Sequence, residues 1–218
     1  MVDVNGSERR PGGLRGDIDR LFSDQGTWLG KPPLPDALRK IVTRPGPLAI
    51  VLYRIGHRLW QGGHHLLAEL LWRLSVTLTG ADIHPGAQIG GGLRIDHTSG
   101  LVIAREAVIG SDVTIHHGVT IGGSGRRWFD PDYQDGAPVI GDETEIWAGA
   151  KVVGPIQVGR GCYVGANAVL AHDLADGTAY TVGSSLRDLR ARVEALEARD
   201  GTEARAAEDA PRPSDVSD

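Results

Sequence analysis

Aliphatic residues recur every six positions through the middle of the chain. That spacing belongs neither to a helix, with its period near 3.6, nor to a strand, with its period of 2. The first run is Ile83, Ile89, Ile95 and Leu101, and after a shift of two residues it continues as Ile103, Ile109, Ile115 and Ile121. A break follows, and then Ile140, Ile146, Val152, Val158, Val164 and Leu170 keep the spacing without a miss. Small and polar residues fill the positions between, as in IGSDVT, IGDETE, VGRGCY and VGANAV. Each unit predicts a strand of two or three residues with its aliphatic side chain turned inward, followed by a turn built on Gly or Asn. Three units close one triangular coil of about 18 residues, and stacked coils bury a column of Ile and Val. The pattern therefore predicts a parallel β-helix over residues 80–183, interrupted by a loop at 122–138. Loops of that length inside a compact domain commonly carry function.

Ahead of the repeat, residues 14–79 carry helical patterns. An amphipathic segment begins at LRGDIDRLF, a Pro-rich break runs from Lys31 to Pro35, and a short helix is expected over 35–42. Pro47 then opens a longer helix. Leu48, Val51, Leu52, Ile55 and Leu59 form one stripe at spacings of three and four, and Leu66, Leu67, Leu70, Leu71, Leu74 and Leu78 form a second. These stripes exceed what one narrow prism covers and are expected to bury between subunits. Leu186, Leu189, Val193 and Leu196 predict a C-terminal helix over 184–200 with a short coiled-coil seam. Residues 1–13 and the acidic tail 201–218 hold few large apolar residues and predict disorder. The fold class is thus α+β: an N-terminal helical segment, a β-helix, and a short C-terminal helix with its tail.

Composition sharpens this picture. Among 218 residues there are 31 glycines and only 5% aromatics, as a fold made of tight turns requires. A net charge of −5 leaves no basic field for nucleic acid or an anionic membrane. The single cysteine, Cys162, excludes an internal disulfide and a thiolate-rich zinc site and fits a reducing cytoplasm. The N-terminus has no apolar leader. Arg54, His57, Arg58, Glu69 and Arg73 interrupt the longest apolar stretches, so neither export nor a membrane span is expected.

Candidate chemistry gathers at the start of the repeat, in LTGADIHPGAQIGGGLRIDHTSG and, further on, HHGVTIGGSG. These segments resemble the serine O-acetyltransferase family of hexapeptide-repeat acyltransferases, and the likeness covers most of residues 48–183, LYRIGHRLW included. The resemblance implies a left-handed β-helix, acetyl-CoA as co-substrate, and acetyl transfer to the hydroxyl of L-serine for cysteine biosynthesis. The alternatives are acetylation of another hydroxyl, on a saccharide or a homoserine-like amino acid, and a non-catalytic β-helical scaffold. Asp82 and His97 together argue against the scaffold. An alcohol attacks a thioester at neutral pH only if its proton is removed as the C–O bond forms, which calls for a base with a pKa near the working pH. His97 is that candidate, set among small residues and outside the inward column. Asp82 stands fifteen residues earlier, close to one coil, where its carboxylate would meet the other imidazole nitrogen and fix the tautomer.

The resemblance assigns the same roles to His97 and Asp82 and gives Asp96 the substrate ammonium. His84 is expected to brace the turn at Pro85. One of His116 and His117 is expected near the site without acting as its base. No acidic residues recur at ligand spacing beside these histidines, so no metal is expected. Gly122, Gly123, Ser124 and Gly125 match the segment whose backbone contacts the pantetheine arm of coenzyme A, and Lys151 is a candidate for its phosphates. The chain departs from the family at Asp135-Gly136-Ala137-Pro138, where an Arg-His-Pro would hold the serine carboxylate; Arg126 and Arg127 of the loop are the expected replacements. It also ends PSDVSD, without the terminal isoleucine that docks into cysteine synthase, so that partnership is not expected. A triangular prism of this superfamily implies a homotrimer or a dimer of trimers, with each coenzyme A groove between neighbouring prisms.

Overall fold

The computed structural model describes residues 34–125, 136–191 and 193–194. The expected helical residues 14–33, the middle of the loop at 126–135 and the expected disordered segments 1–13 and 201–218 lie outside the described residues. The chain divides into two units, residues 1–182 and 183–218.

Among the described residues the first unit has three helices, α1 (Leu34–Thr43), α2 (Pro45–Gln61) and α3 (His65–Thr79). Pro45 and Pro47 sit in the first turn of α2, where a missing N–H leaves no gap. Gly80 ends α3 in the left-handed conformation at φ 72°. A left-handed parallel β-helix follows, with fourteen strands of two or three residues among the described residues, sorted onto three flat sheets. One wall holds β1 (Ala81–Ile83), β4 (Leu101–Ile103), β7 (Thr120–Gly122), β10 (Lys151–Val153) and β13 (Val169–Leu170). The second holds β2 (Gln88–Ile89), β5 (Val108–Ile109), β8 (Val139–Ile140) and β11 (Gln157–Val158). The third holds β3 (Arg94–Asp96), β6 (Thr114–His116), β9 (Glu145–Ile146), β12 (Tyr163–Val164) and β14 (Ala179–Tyr180).

The six-residue spacing is the packing. Ile103 stands over Ile121, Ile140 over Val158, Ile146 over Val164 and Val152 over Leu170, and each is buried. Burying one such side chain contributes about 2 kcal/mol. The two-residue shift in the pattern has a location. In the second coil β6 passes to β7 through a corner at His117-Gly118, whereas the first coil uses His97-Thr98-Ser99-Gly100 between β3 and β4, so Ile83 pairs with Ile103. At that corner Gly100, Gly118 and Gly149 stack with φ of 71°, 68° and 73°, and Asn167 continues the column at 56°. Cβ-free or amide residues are needed there because the left-handed region strains other side chains.

The first coil leaves one end of the prism open, and α2 covers it. Backbone bonds run both ways between coils, as Gln88 N donates to Ala107 O and Gly90 N to Ile109 O while Asp112 N donates back to Gly91 O and Gly118 N to Ser99 O, and the first coil has no coil before it. Carbonyls of the first coil therefore receive nothing from an earlier coil, and a buried unpaired carbonyl is costly. Tyr53 Oη donates to Ala87 O at 2.8 Å. The Arg54 guanidinium donates to Ile89 O at 2.6 Å and Gly90 O at 2.5 Å, and His57 Nδ1 donates to Pro85 O at 2.7 Å. Gly46 lies so close to Ile95 O that a Cβ has no room. The face of α2 on the prism is thus Gly46, Pro47, Ala49, Ile50, Tyr53 and Arg54. The expected stripe of Leu48, Val51, Leu52, Ile55 and Leu59 is a different face, left half-buried or exposed, because a coil end is capped by small residues and donors rather than by large aliphatics. On α3, Leu67, Leu70, Leu74 and Leu78 are each about half exposed. No described helix is long and apolar enough to cross a membrane.

Where α2 and α3 meet the first corner, the His84 ring lies against Trp60 and Trp72, with centroids at 5.1 and 4.9 Å. Gly86 N donates to His84 Nδ1 at 2.9 Å, so His84 braces the Pro85 turn as expected and must be unprotonated at Nδ1. Burial, then the Arg105 charge, holds its pKa below the ordinary 6.5.

In the C-terminal unit, residues 183–191 are helical, Leu186 and Leu189 are exposed, and Arg190 pairs with Glu194 across one turn at 3.3 Å.

Two outcomes follow for stability. Arg54→Met leaves the Ile89 and Gly90 carbonyls without their donors and should cost about 3 kcal/mol in urea unfolding, against about 1 kcal/mol for Tyr53→Phe. Because the His84 pKa is lowered in the fold, its neutral form contributes stability above 6.5 that is lost as the pH falls. Unfolding free energy measured from about pH 7.5 down to about 5.5 should therefore drop less in His84→Gln than in the parent.

Candidate functional site

The widened corner of the first coil carries the candidate base. His97 follows directly on β3 and adopts φ 59°, one of four non-glycine residues with positive φ among those described. Its neighbours hold it there: the buried Thr98 hydroxyl donates to Thr79 O at the end of α3, and Gly100 N donates to Gly80 O at 3.2 Å. The corner is thereby pinned to the helical layer while the His97 imidazole projects into solvent. The His117 ring, one coil on, meets it edge-on with centroids 5.9 Å apart and an interplanar angle of 82°. One of the paired histidines does reach the candidate base.

Asp82 lies in β1 between the buried Ala81 and Ile83, so its carboxylate faces outward. The expected hydrogen bond to His97 is not made in this structure. Among the described residues, Asp82 Oδ1 accepts instead from the indole Nε1 of Trp72 at 2.9 Å, because α3 lies beside β1 and brings that indole to the carboxylate. The carboxylate has a second oxygen, and catalytic hydrogen bonds are often long before substrate binds.

Alternation along β3 places Arg94 and Asp96 on one outward face, with Ile95 inward between them. Arg94 Nε donates to Asp96 Oδ1 at 3.1 Å and its Nη2 to Oδ2 at 2.8 Å, a forked ion pair with each side chain about one third exposed. In the next coil His116 stands in register with Asp96 and stacks on the Trp147 ring, centroids 4.6 Å apart at 17°. Burial holds the His116 pKa below the ordinary 6.5, and the Asp96 charge works against that shift. Arg94, Trp72 and Trp147 were not singled out from the sequence. Only Arg94 had a readable signal, the Arg-x-Asp alternation one residue before the candidate base.

At the other end of the second coil, β7 runs into the glycine segment. Gly122 is buried, its carbonyl accepts from Gly154 N at 2.9 Å, and a Cβ there would press on Ala104. Gly123 and Ser124 are exposed and Gly125 turns at φ 68°. Lys151 does not project from the wall: its Nζ donates to Gly118 O at 2.6 Å and Thr120 Oγ1 at 3.0 Å, next to His117. Arg126 and Arg127 lie outside the described residues. No group of three or more His, Cys, Asp or Glu is arranged to hold a metal among the described residues.

The structure thus gathers His97, His117, Asp96 and Arg94 at one end of the prism, Asp82 beside β4 on the adjoining wall, and an exposed glycine turn after β7. Such a set can deprotonate a small polar hydroxyl and seat a thin, extended co-substrate.

Comparison with known proteins agrees. The family model described as bacterial transferase hexapeptide (six repeats) matches residues 137–172. A serine acetyltransferase of Mycobacterium tuberculosis is 45% identical over 72% of this chain and 64% of its own length. One from Helicobacter pylori is 43% identical over 79% of this chain and 97% of its own. The solved structure of serine acetyltransferase from Brucella abortus in complex with coenzyme A superposes with a TM-score of 0.66 at 31% identity, over 77% of this chain and 63% of that one. This chain therefore spans just under two thirds of the first and third of these proteins and nearly all of the second. With the repeat and the prism in agreement, the chain belongs to the serine acetyltransferase family.

Proposed function

We propose that the enzyme moves the acetyl group of acetyl-CoA onto the hydroxyl of L-serine, with His97 as general base. The observation that carries the reading is the His97 corner, where a strained, pinned backbone presents an imidazole beside the Asp96 carboxylate. One imidazole nitrogen takes the serine hydroxyl proton as the oxygen attacks the thioester carbonyl. The tetrahedral intermediate then collapses, the C–S bond breaks, and the imidazolium returns its proton to the departing coenzyme A thiolate. O-acetylserine and coenzyme A leave, and His97 is restored. Asp82, held on one oxygen by Trp72, uses the other to orient the imidazole and to favour its charged form. Asp96 takes the ammonium of the acceptor.

The relative with coenzyme A bound supports the co-substrate, and the glycine turn supports its route. Gly122, Gly123, Ser124 and Gly125 leave space for the pantetheine arm, since side chains there would fill the groove. Lys151 acts through its bonds to Gly118 and Thr120, which fix the floor under His117.

The enzyme works as a homotrimer or a dimer of trimers. Support comes from the apolar face of α3, Leu67, Leu70, Leu74 and Leu78, which one prism leaves uncovered. Light scattering at micromolar concentration should give three or six times the chain mass, and a monomer mass overturns this assembly.

His97→Asn tests the base, since asparagine tolerates the left-handed backbone. Acetyl-CoA-dependent thiol release with L-serine should fall by about two to four orders of magnitude while the melting temperature shifts by no more than about 2 °C. Asp82→Asn should lose less. A His97→Asn enzyme with near-parental turnover removes His97 from the mechanism.

A further inference from the structure

We infer that Trp72 is a positioning residue for the acetyl transfer: its indole N–H sets the direction of the Asp82 carboxylate, and α3, which carries it, is the common mount of Asp82 and the His97 corner. This rests on the reading of His97 as the base and of Asp82 as the acid that orients it. An aspartate carboxylate swings broadly about its last torsion, so a half-buried, outward-facing Asp82 left to itself presents its oxygens in many directions. Trp72 Nε1 removes that freedom by donating to Oδ1 at 2.9 Å. An indole donates one hydrogen and accepts none, so it holds the carboxylate without competing for the proton of the reaction, and it leaves Oδ2 for the imidazole. The indole is held in turn. Its ring lies against His84 with centroids 4.9 Å apart, and His84 is fixed by the bond from Gly86 N to its Nδ1 at 2.9 Å. Asp82 and His84 are two residues apart in the chain, so the hydrogen bond and the ring contact meet Trp72 from neighbouring points of the first coil.

The end of the same helix reaches the other member of the pair. Thr79 O accepts from the Thr98 hydroxyl, and Gly80 O accepts from Gly100 N at 3.2 Å, one and three residues past His97. Thr79 Oγ1 donates to Ser75 O at 2.7 Å and accepts from Ala81 N at 3.2 Å, so α3 passes into β1 without a loose joint. β1 and β4 are in register from the pair Ala81 and Leu101, and the corner that carries His97 therefore closes directly beside the strand that carries Asp82. One helix thus directs the carboxylate through a side chain and places the backbone of the base through the carbonyls at its C-terminal end. Catalytic geometry is sensitive to such placement, a misplacement of about 1 Å costing on the order of 100-fold in rate.

The test is a double-mutant cycle on acetyl-CoA-dependent thiol release with L-serine. Trp72→Phe keeps a ring against His84 and deletes the N–H. In the parent background it should lower kcat by about 5- to 30-fold and leave the KM values for L-serine and acetyl-CoA within about twofold, since the carboxylate acts on the base rather than on either substrate. In an Asp82→Ala enzyme the same substitution should change kcat by less than about twofold, because its route to the base has gone. Any effect on folding enters both backgrounds alike and cancels in the comparison. An equal fall in both backgrounds overturns the inference and makes Trp72 part of the packing of α3 alone. A kcat for Trp72→Phe within twofold of the parent overturns it too, as does a loss carried by the KM for L-serine instead of by kcat. An Asp82→Ala enzyme with parental kcat removes Asp82 from the mechanism, and this inference with it, while leaving acetyl transfer by His97 standing. A parent enzyme that releases no thiol with L-serine overturns the proposed function and the inference together.

Discussion

In a solenoid of parallel coils the first coil has a neighbouring coil on one side only, so backbone carbonyls on its outer side face an end that no coil can satisfy. The rest of this molecule is arranged around that asymmetry. Tyr53, Arg54 and His57 supply a row of donors to Ala87, Ile89, Gly90 and Pro85, and they do so from a helix whose small residues let it lie flat on the coil. A buried guanidinium is costly without partners, and here it gains two carbonyl acceptors and the face of the Tyr53 ring at 5.3 Å. The same contact prevents the first coil from acting as an open sheet edge toward other chains.

The candidate site sits at this capped end for a related reason. Interior coils repeat closely, and their corners are narrow. The first coil, bordered by helices rather than by another coil, accommodates two additional corner residues without disturbing a neighbour above it. Those residues let Thr98 reach the last turn of α3 while His97 turns outward. Strain at His97 is thereby balanced by bonds made by its neighbours, a common arrangement where side-chain direction matters more than local comfort.

The prism was legible from the chain because its core uses one residue class at one spacing, and chance rarely sustains that over fourteen positions. The glycine segment and His97 were legible because their identities are constrained by backbone shape and chemistry. The binding face of α2 was not, since helical stripes are judged by large aliphatics and the prism end instead selects Gly46, Ala49, Tyr53 and Arg54. The Trp72–Asp82 bond was hidden for a different reason: it joins a helix to the strand after it, and nothing in a ten-residue separation across Gly80 announces that contact. Arg94 was readable in principle, for alternation alone puts it beside Asp96, yet an isolated surface arginine carries no mark of its partner.

The register across the long loop has a bearing on how such enzymes diversify. Val108 and Ile109 pair with Val139 and Ile140, and Thr120 and Ile121 with Lys151 and Val152, as though the residues inserted between β7 and β8 were absent. The stack closes beneath the insertion, so the register of the coils on either side does not depend on it. Its length and sequence can drift under selection for one ligand after another while the scaffold keeps its stability, which separates the evolution of specificity from the evolution of the fold.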